Sequence, residues 1–272
     1  MRRPISLISR RSALLLGGAA LGQACGSSPA KAADAGRWLA YESRLRRLSA
    51  APAFADVAAI SGPLTELTNA YRARRDLPPV RDHPGLALAA RAQAADMAAR
   101  GYFAHDTPEG FTPNDRVGLL ARRLCGATGE NLSYRRGGRA PPTAQTFLDG
   151  WIKSPGHRAN LLRPEYDRVG HAAVRIGDTT YAAAVFGEEA AALHNDLPLK
   201  LAGAQALSPI LATARPSLTR FEVSQPQADD AQGPWAAAHP PDLARGAWRL
   251  RPLLAQGGGR YSILWGPIFV IS

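Results

Sequence analysis

Cysteine is scarce in this sequence, whose 272 residues include only Cys25 and Cys125. A fold held by several disulfides is therefore excluded, and the apolar core has to stabilise the chain. We expect Cys125 to be a small core residue or a loose thiol and not a nucleophile. The sequence also lacks HExxH, a paired-cysteine metal motif, a nucleophile elbow and a phosphate-binding glycine loop. No common catalytic motif therefore assigns it to an enzyme class.

Acidic residues are fewer than basic ones, at 22 against 33, which gives a net charge of +11. Residues 1–32 hold five basic residues and no acidic one, so the remainder has 28 basic and 22 acidic residues and a net charge of +6. This charge fits contact with acidic envelope polymers or anionic lipid headgroups. No nucleic-acid-binding motif accompanies it, so we expect no nucleic acid partner.

Residues 1–32 predict an export signal of the twin-arginine type. The Arg10-Arg11 pair precedes a small apolar stretch at 13–24 that is too short to span a bilayer stably; an ordinary secretory signal is the alternative. Cleavage after Ala32 would start the mature chain at residue 33, whereas lipidation of Cys25 would anchor it to a membrane. In each case we expect a periplasmic, cell-envelope-associated or extracellular protein.

Apolar periodicity and helix-breaking residues predict the elements that follow. A short helix is expected in the N-terminal segment 33–60. In the next helix, Arg72 is placed on the exposed face. Including that helix, the predictions are four helices, one helical turn and a β-hairpin, in the order Gly62–Leu77, Asp82–Arg100, Asp115–Arg123, Thr143–Lys153, His157–Leu162, Val169–Ile176 and Thr180–Phe186.

Helices and strands are segregated along residues 61–189, which indicates an α+β domain with an antiparallel sheet. From residue 190 onward prolines interrupt the chain repeatedly, and only short β-like runs remain. We therefore predict a small β-rich C-terminal extension over residues 190–272.

Three short stretches carry residues suited to chemistry. They contain His105 after Gly101, Glu130 in Gly129-Glu130-Asn131, and His157 in Ser154-Pro155-Gly156-His157. Two imidazoles and a carboxylate can hold a divalent cation such as zinc, or can act as an acid–base pair near neutral pH. Each also has a structural alternative, since Glu130 can accept backbone N–H bonds in a turn and His157 can cap a helix. Spacing alone does not decide between these readings.

The same stretches, in this order, resemble the bacterial branch of the CAP superfamily of cysteine-rich secretory, antigen 5 and pathogenesis-related proteins, whose shared unit is also called the SCP domain. The similarity runs from the helix containing Leu67 to Gly187. It implies a three-layer α-β-α sandwich with a small antiparallel sheet, and an open cleft that carries His and Glu side chains. In some members this cleft binds a divalent cation.

The resemblance assigns His105 to the first cleft histidine, Glu130 to the glutamate of the family's Gly-Glu-Asn motif, and His157 to a stretch typical of bacterial members. Eukaryotic members carry a second cleft histidine on a later strand, but the corresponding strand here, Tyr181–Phe186, has none. His171 is instead expected to be an ordinary strand residue. A complete tetrad is therefore not implied.

Three functions are consistent with these residues. We expect first a binding module of the cell envelope that is not an enzyme and that takes a polymer, lipid or small ligand. The first alternative is a metal-assisted hydrolase of peptide or peptidoglycan, with Glu130 as the catalytic base and His105 and His157 as metal ligands. The second is a lipid or sterol carrier. We expect the protein to be a monomer.

Overall fold

The computed structural model describes residues 33–54, 57, 60–138 and 140–272. The predicted export signal at 1–32, including Cys25, lies outside the described residues. Within those ranges, no helix combines the length and the apolar character needed to cross a membrane.

Seven helices occur in the described part of the chain, together with short 3-10 turns at Pro52–Phe54 and Ala204–Ala206. The helices are α1 (Ala35–Ala50), α2 (Ser61–Ala73), α3 (Pro84–Arg100), α4 (Pro113–Leu120), α5 (Ala144–Lys153), α6 (Pro155–Leu161) and α7 (Leu207–Ala212). The strands are β1 (Arg81–Asp82), β2 (Leu124–Cys125), β3 (Thr128–Arg136), β4 (Arg168–Ile176), β5 (Thr179–Gly187), β6 (Ala191–Ala192), β7 (Lys200–Leu201), β8 (Arg220–Ser224), β9 (Ala231–Ala236), β10 (Gly246–Gly257), β11 (Arg260–Ile263) and β12 (Ile268–Ile271).

The predicted three-layer α-β-α fold is confirmed. A four-stranded sheet has the order β1-β4-β5-β3, in which β4, β5 and β3 are antiparallel and β1 joins β4 in parallel. Successive residues of the strands face opposite sides. Side chains such as Ala172 and Val174 share a core with α1, α3 and α4, whereas Ala173 and Phe186 share another with α2, α5 and α6.

Helix α3 lies directly on the sheet because small residues line the contact. A Cβ at Gly170 would come within 2.0 Å of the backbone nitrogen of Ala87, so only glycine allows this approach. The bounds of α3 agree with the predicted breakers, since Pro84 occupies its first turn and Gly101 follows it with a left-handed φ of 67°. His83 caps the start of the helix by accepting a hydrogen bond from the Leu86 nitrogen.

The exposed position predicted for Arg72 is wrong. Its side chain is buried, and its guanidinium donates to the backbone carbonyls of Pro78 at 2.8 Å and of Leu161, Arg163 and Tyr166 at 3.0 Å. These four carbonyls accept the hydrogen bonds of the buried guanidinium, and none of its partners among them is a carboxylate. Arg72 thereby ties the end of α2 to the end of α6 and to the loop before β4.

The C-terminal part is β-rich, as predicted. A six-stranded sheet has the order β7-β12-β10-β8-β9, with β11 paired to β10. Buried residues on one side of this sheet, including Ala247, Ile268 and Val270, belong to the same core as α1, α3 and α4. The extension therefore packs against the helical layer that also covers the first sheet.

Candidate functional site

His105 lies in the loop that leaves α3 after Gly101. The loop is fixed by two side chains beneath it, since Gln93 donates to the Ala104 carbonyl at 2.7 Å and Arg116 donates to the His105 carbonyl at 2.8 Å. The imidazole itself is half exposed. The backbone of His105 is thus anchored to the core while its ring faces solvent.

Glu130 lies on β3, and its side chain is buried next to that ring. Its Oε1 is 2.9 Å from Nδ1 of His105, and Arg116 of α4 donates to both carboxylate oxygens, at 3.1 Å and 2.9 Å. Arg116 is also buried. The three side chains form a continuous line from a buried guanidinium, through a buried carboxylate, to an exposed imidazole.

This line fixes the tautomer of the neutral His105 ring and shifts its pKa. An ionised carboxylate only accepts hydrogen bonds, so Nδ1 of His105 carries the proton that it donates to Glu130. The hydrogen bond to Glu130 raises the pKa of His105, partial burial opposes the rise, and the Glu130 charge adds to it. Nε2 is then the ring nitrogen left to bind a ligand or to transfer a proton.

His157 stands beside this pair on α6. Its ring centroid is 6.5 Å from that of His105. Burial lowers the pKa of His157, and the charge of His105 lowers it further. His105 is therefore the more readily protonated of the two rings. The structure therefore brings together all three residues that the sequence pattern selected.

Two asparagines hold β3 against α6 and so hold His157 near Glu130. Asn131 donates to the His157 carbonyl at 3.0 Å. Asn160 donates to the Glu130 carbonyl at 3.2 Å and to the Asn131 side-chain oxygen at 2.9 Å. These bonds explain why the motif residues beside the titratable groups are amides, which donate and accept at once.

His171 and Cys125 lie in the interior, outside this cluster. The His171 ring is buried, stacks on Trp151 with centroids 6.2 Å apart, and approaches the Thr65 hydroxyl at 3.2 Å. Burial lowers the pKa of His171 to about 3. Cys125 is fully buried, and burial raises the pKa of its thiol to about 12, which agrees with the small core residue expected from the sequence.

The chain is similar to known proteins over the segment that contains this site. Residues 65–187 match the family described as CAP, the cysteine-rich secretory protein family. Residues 65–187, slightly less than half of the chain, are thus similar to a CAP domain. The protein YkwD of Bacillus subtilis (strain 168) is 32% identical over 121 residues, which are 44% of this chain and 45% of YkwD. The chain thus spans less than half the length of that relative.

Two solved structures are also similar to this chain over about half of its length. One is an extracellular protein containing a SCP domain from Bacillus anthracis str. Ames, 28% identical, covering 47% of this chain and 40% of that one, with a TM-score of 0.41. The other is an outer surface protein from Borrelia burgdorferi, 18% identical, covering 47% of this chain and 91% of that one, with a TM-score of 0.42.

The predicted metal ligands, His105 and His157, lack a third free ligand. Both oxygens of Glu130 already accept hydrogen bonds from Arg116, and one of them is also bonded to His105. The described residues contain no group of three or more His, Cys, Asp or Glu placed to hold a metal ion. A zinc site formed by protein needs at least three such donors, so this arrangement does not fit one.

Arg116 is the site residue that sequence reasoning missed. It lies on α4 three and four residues before the buried Leu119 and Leu120, on the stripe that faces the core. The sequence feature that could have identified Arg116 is its position as a charged residue on the apolar face of a short helix, because a buried charge requires a partner. That partner, Glu130, lies on a strand that the sequence did not predict.

Proposed function

We propose that this protein is an exported, non-enzymatic binding protein of the cell envelope, and that its His105–Glu130–His157 cleft binds the ligand. The observation that carries this proposal is the line from Arg116 through Glu130 to the exposed imidazole of His105. The buried ion pair of Arg116 and Glu130 holds the His105 ring in one position, so the ring presents a fixed hydrogen-bonding group to solvent. Such a preorganised polar group is typical of a recognition site.

The surroundings of His105 favour binding over catalysis. Nδ1 of His105 is occupied by Glu130, and no hydroxyl or thiol within the described ranges forms a hydrogen bond with this ring. Nucleophilic catalysis needs such a group beside the base. Metal-assisted hydrolysis would need ligands that Glu130, bonded to Arg116, does not supply in this arrangement.

Export is proposed from the sequence of residues 1–32, whose arginine pairs and short apolar stretch are typical of a translocated protein. The positive charge of the remaining chain then meets the acidic polymers and anionic lipids of an envelope. The choice between cleavage after Ala32 and lipidation at Cys25 is read directly from the mass of the mature protein.

Sedimentation with purified envelope fractions tests this function. We expect the protein to co-sediment with cell-wall material, and His105→Ala and Glu130→Gln to weaken the binding about tenfold. His239→Ala is the matched control because His239 is exposed in a loop of the extension. Binding that survives both cleft substitutions would contradict the proposal, and so would zinc-dependent cleavage of peptidoglycan by the purified protein.

A further inference from the structure

An exposed aromatic pair lies next to the cleft. Phe103 is 50% exposed and Tyr134 is 37% exposed. Their ring centroids are 5.8 Å apart, and Tyr134 packs in turn on the buried Tyr181 at 5.2 Å. Single exposed aromatics are common on protein surfaces. A pair that contacts each other and is backed by a third ring is a preformed apolar platform.

The platform continues the cleft along one strand. Phe103 is two residues before His105, and Tyr134 follows Glu130 by four residues on β3, so Tyr134 and Glu130 face the same side. Arg136 lies on that face two residues further on; its side chain is 74% exposed and forms a surface ion pair with Asp178, with Nε 3.8 Å from the carboxylate. At about 3.3 Å per residue, the distance from Glu130 to Arg136 is roughly 20 Å.

We call this row of side chains the β3 track: His105 with Glu130 at one end, Phe103 with Tyr134 in the middle, and Arg136 at the other end. Charged or titratable groups therefore flank an aromatic centre. Because the row extends over roughly 20 Å along the strand, it suits an extended polymer more than a compact ligand.

The chemistry of the β3 track selects sugar rings that carry acidic groups. The face of an aromatic ring is negative, and the C–H bonds on the face of a pyranose ring are weakly positive, so the two surfaces attract. The guanidinium of Arg136 binds carboxylates and phosphates, and Nε2 of His105 can form a hydrogen bond with a hydroxyl or acidic group of the same ligand.

A peptide fits this edge less well. Strand β3 is at the edge of its sheet, where an added peptide strand would bond to the outward carbonyls. Two of those carbonyls are already used, since Glu130 accepts from Asn160 at 3.2 Å and Leu132 accepts from the Trp151 indole at 3.1 Å. Strand addition is thus obstructed at Glu130 and Leu132, whereas the side chains of Phe103, Tyr134 and Arg136 remain exposed.

A lipid chain also fits the track poorly. An acyl chain requires a continuous apolar surface, whereas the platform of Phe103 and Tyr134 is bounded by ionisable groups on both sides. From these contacts we propose that the β3 track binds an acidic polysaccharide. This inference rests on the proposed function, because it names the class of ligand for the same cleft.

Titration of the full chain with polygalacturonate, an acidic polysaccharide, tests the inference, with dextran as the neutral comparison. We expect saturable binding of polygalacturonate and at least tenfold weaker binding of dextran. Phe103→Ala and Tyr134→Ala should each weaken polygalacturonate binding roughly fivefold to tenfold. Tyr261→Ala is the control, because Tyr261 is 40% exposed on β11 of the extension. We expect it to bind like the unmodified protein.

Arg136→Gln supplies a second test that does not depend on the aromatic core, since this side chain is solvated. It should weaken polygalacturonate binding and reduce the dependence of the affinity on salt. Equal binding by the Phe103, Tyr134 and Tyr261 variants would overturn the inference. Equal affinity for dextran, or tighter binding to anionic lipid vesicles than to polygalacturonate, would also overturn it.

The two proposals fail in different ways. If polygalacturonate does not bind, while cell-wall material still sediments the protein in a manner that depends on His105, the polysaccharide inference is wrong and the proposed function stands. If neither material binds, both are wrong. Circular dichroism of each variant confirms that the fold is retained before binding is compared.

Discussion

Arg249 of β10 donates a hydrogen bond to the Asp115 carboxylate at 2.9 Å, although 134 residues separate them along the chain. Both side chains are buried. Asp115 precedes Arg116 on α4, and Arg116 binds Glu130 of the cleft. One short helix therefore carries two buried ion pairs, the first to the C-terminal sheet and the second to the candidate site.

This arrangement predicts that removing Arg249 weakens the whole domain. Arg249→Met leaves the Asp115 carboxylate buried without its cation, and breaking a buried pair in this way costs about 3–5 kcal/mol. We expect a loss of that size in the free energy of unfolding, measured by urea denaturation. Asp115 keeps its hydrogen bond from Gln227 at 2.8 Å, so the lower end of the range is expected.

Arg46→Gln is the matched control for this substitution. Arg46 forms an exposed ion pair with Glu42 one turn away on α1, and such surface pairs contribute less than about 1 kcal/mol. If Arg249→Met lowers the free energy of unfolding as little as Arg46→Gln does, the C-terminal sheet does not depend on Arg249 for its attachment to α4.

Glu130→Gln is predicted to lower the pKa of His105. The hydrogen bond to Glu130 is the main cause of the raised pKa, and the nearby Arg116 charge and partial burial both act in the opposite direction. Once the carboxylate is neutral, only the opposing effects and the minor contribution of Asp106 remain. The chemical shift of the His105 ring proton, followed by NMR against pH, gives the pKa directly.

Asp106→Asn provides a graded comparison, because Asp106 also raises the pKa of His105 but is the smallest of the causes. It should produce a smaller decrease than Glu130→Gln. An unchanged His105 titration in the Glu130 variant would mean that the two side chains are not bonded in solution. That result would remove the main support for the cleft.

Local signals in the sequence were sufficient for most helices of this fold. Pro84 and Gly101 mark the ends of α3 through their backbone preferences, and Thr143 caps α5 by accepting from the Thr146 nitrogen. The hairpin of β4 and β5 is predictable because the two-residue turn Gly177-Asp178 joins two runs of strand-forming residues. In each case neighbours within a few residues determine the structure.

Features that depend on distant partners were not predictable in the same way. Strand β3 was missed because Gly129 and the polar residues around it suggest a loop, whereas pairing to β5 on one side and cover from α5 and α6 on the other stabilise it as a strand. Arg72 was assigned to the surface from helical periodicity alone. The four carbonyl groups that accept its hydrogen bonds belong to residues up to 94 positions away along the chain.

Residue chemistry together with the family resemblance, and not spacing, singles out the three cleft residues. His105 and Glu130 are 25 residues apart, and no local rule makes them neighbours. Their contact depends on Arg116, which fixes the loop carbonyl of His105 and the Glu130 carboxylate with one guanidinium. A derivation from the sequence would have needed the sheet order and the position of α4 first.

Cys125 is predicted to be unreactive in the folded protein. Its thiol is buried, and burial raises its pKa to about 12, so almost no thiolate forms near neutral pH. Labelling with N-ethylmaleimide, located by peptide mass spectrometry, should modify Cys125 only after denaturation. Rapid modification of the peptide containing Cys125 under native conditions would contradict this burial.

His171 is predicted to make the protein sensitive to acid. The Thr65 hydroxyl donates to oxygen acceptors, at 2.7 Å to Asp82 and 3.2 Å to the Ser61 carbonyl, so it accepts from Nδ1–H of a neutral His171. The other ring nitrogen is buried, and no hydrogen-bond partner for it occurs among the described residues. A proton added there would be buried next to Trp151 and Phe186 without an acceptor.

The sign of the pH effect follows from the lowered pKa of His171. Its pKa is about 3 in the folded protein because of burial, against 6.5 for an exposed histidine. Between these values the unfolded chain binds the additional proton, so the free energy of unfolding falls as the pH falls, by up to about 1.4 kcal/mol per pH unit. Well above pH 6.5 the group is neutral in both states and makes no such contribution.

His171→Leu should remove this part of the acid sensitivity. Leucine has a similar apolar volume and no proton to gain, so urea midpoints between pH 7 and pH 4 should decrease less than those of the unmodified protein. His239→Leu is the control, because His239 is exposed and its replacement should leave the slope unchanged. The same decrease in both variants would mean that His171 is protonated in the folded state, and that the interior between β4 and α5 admits water.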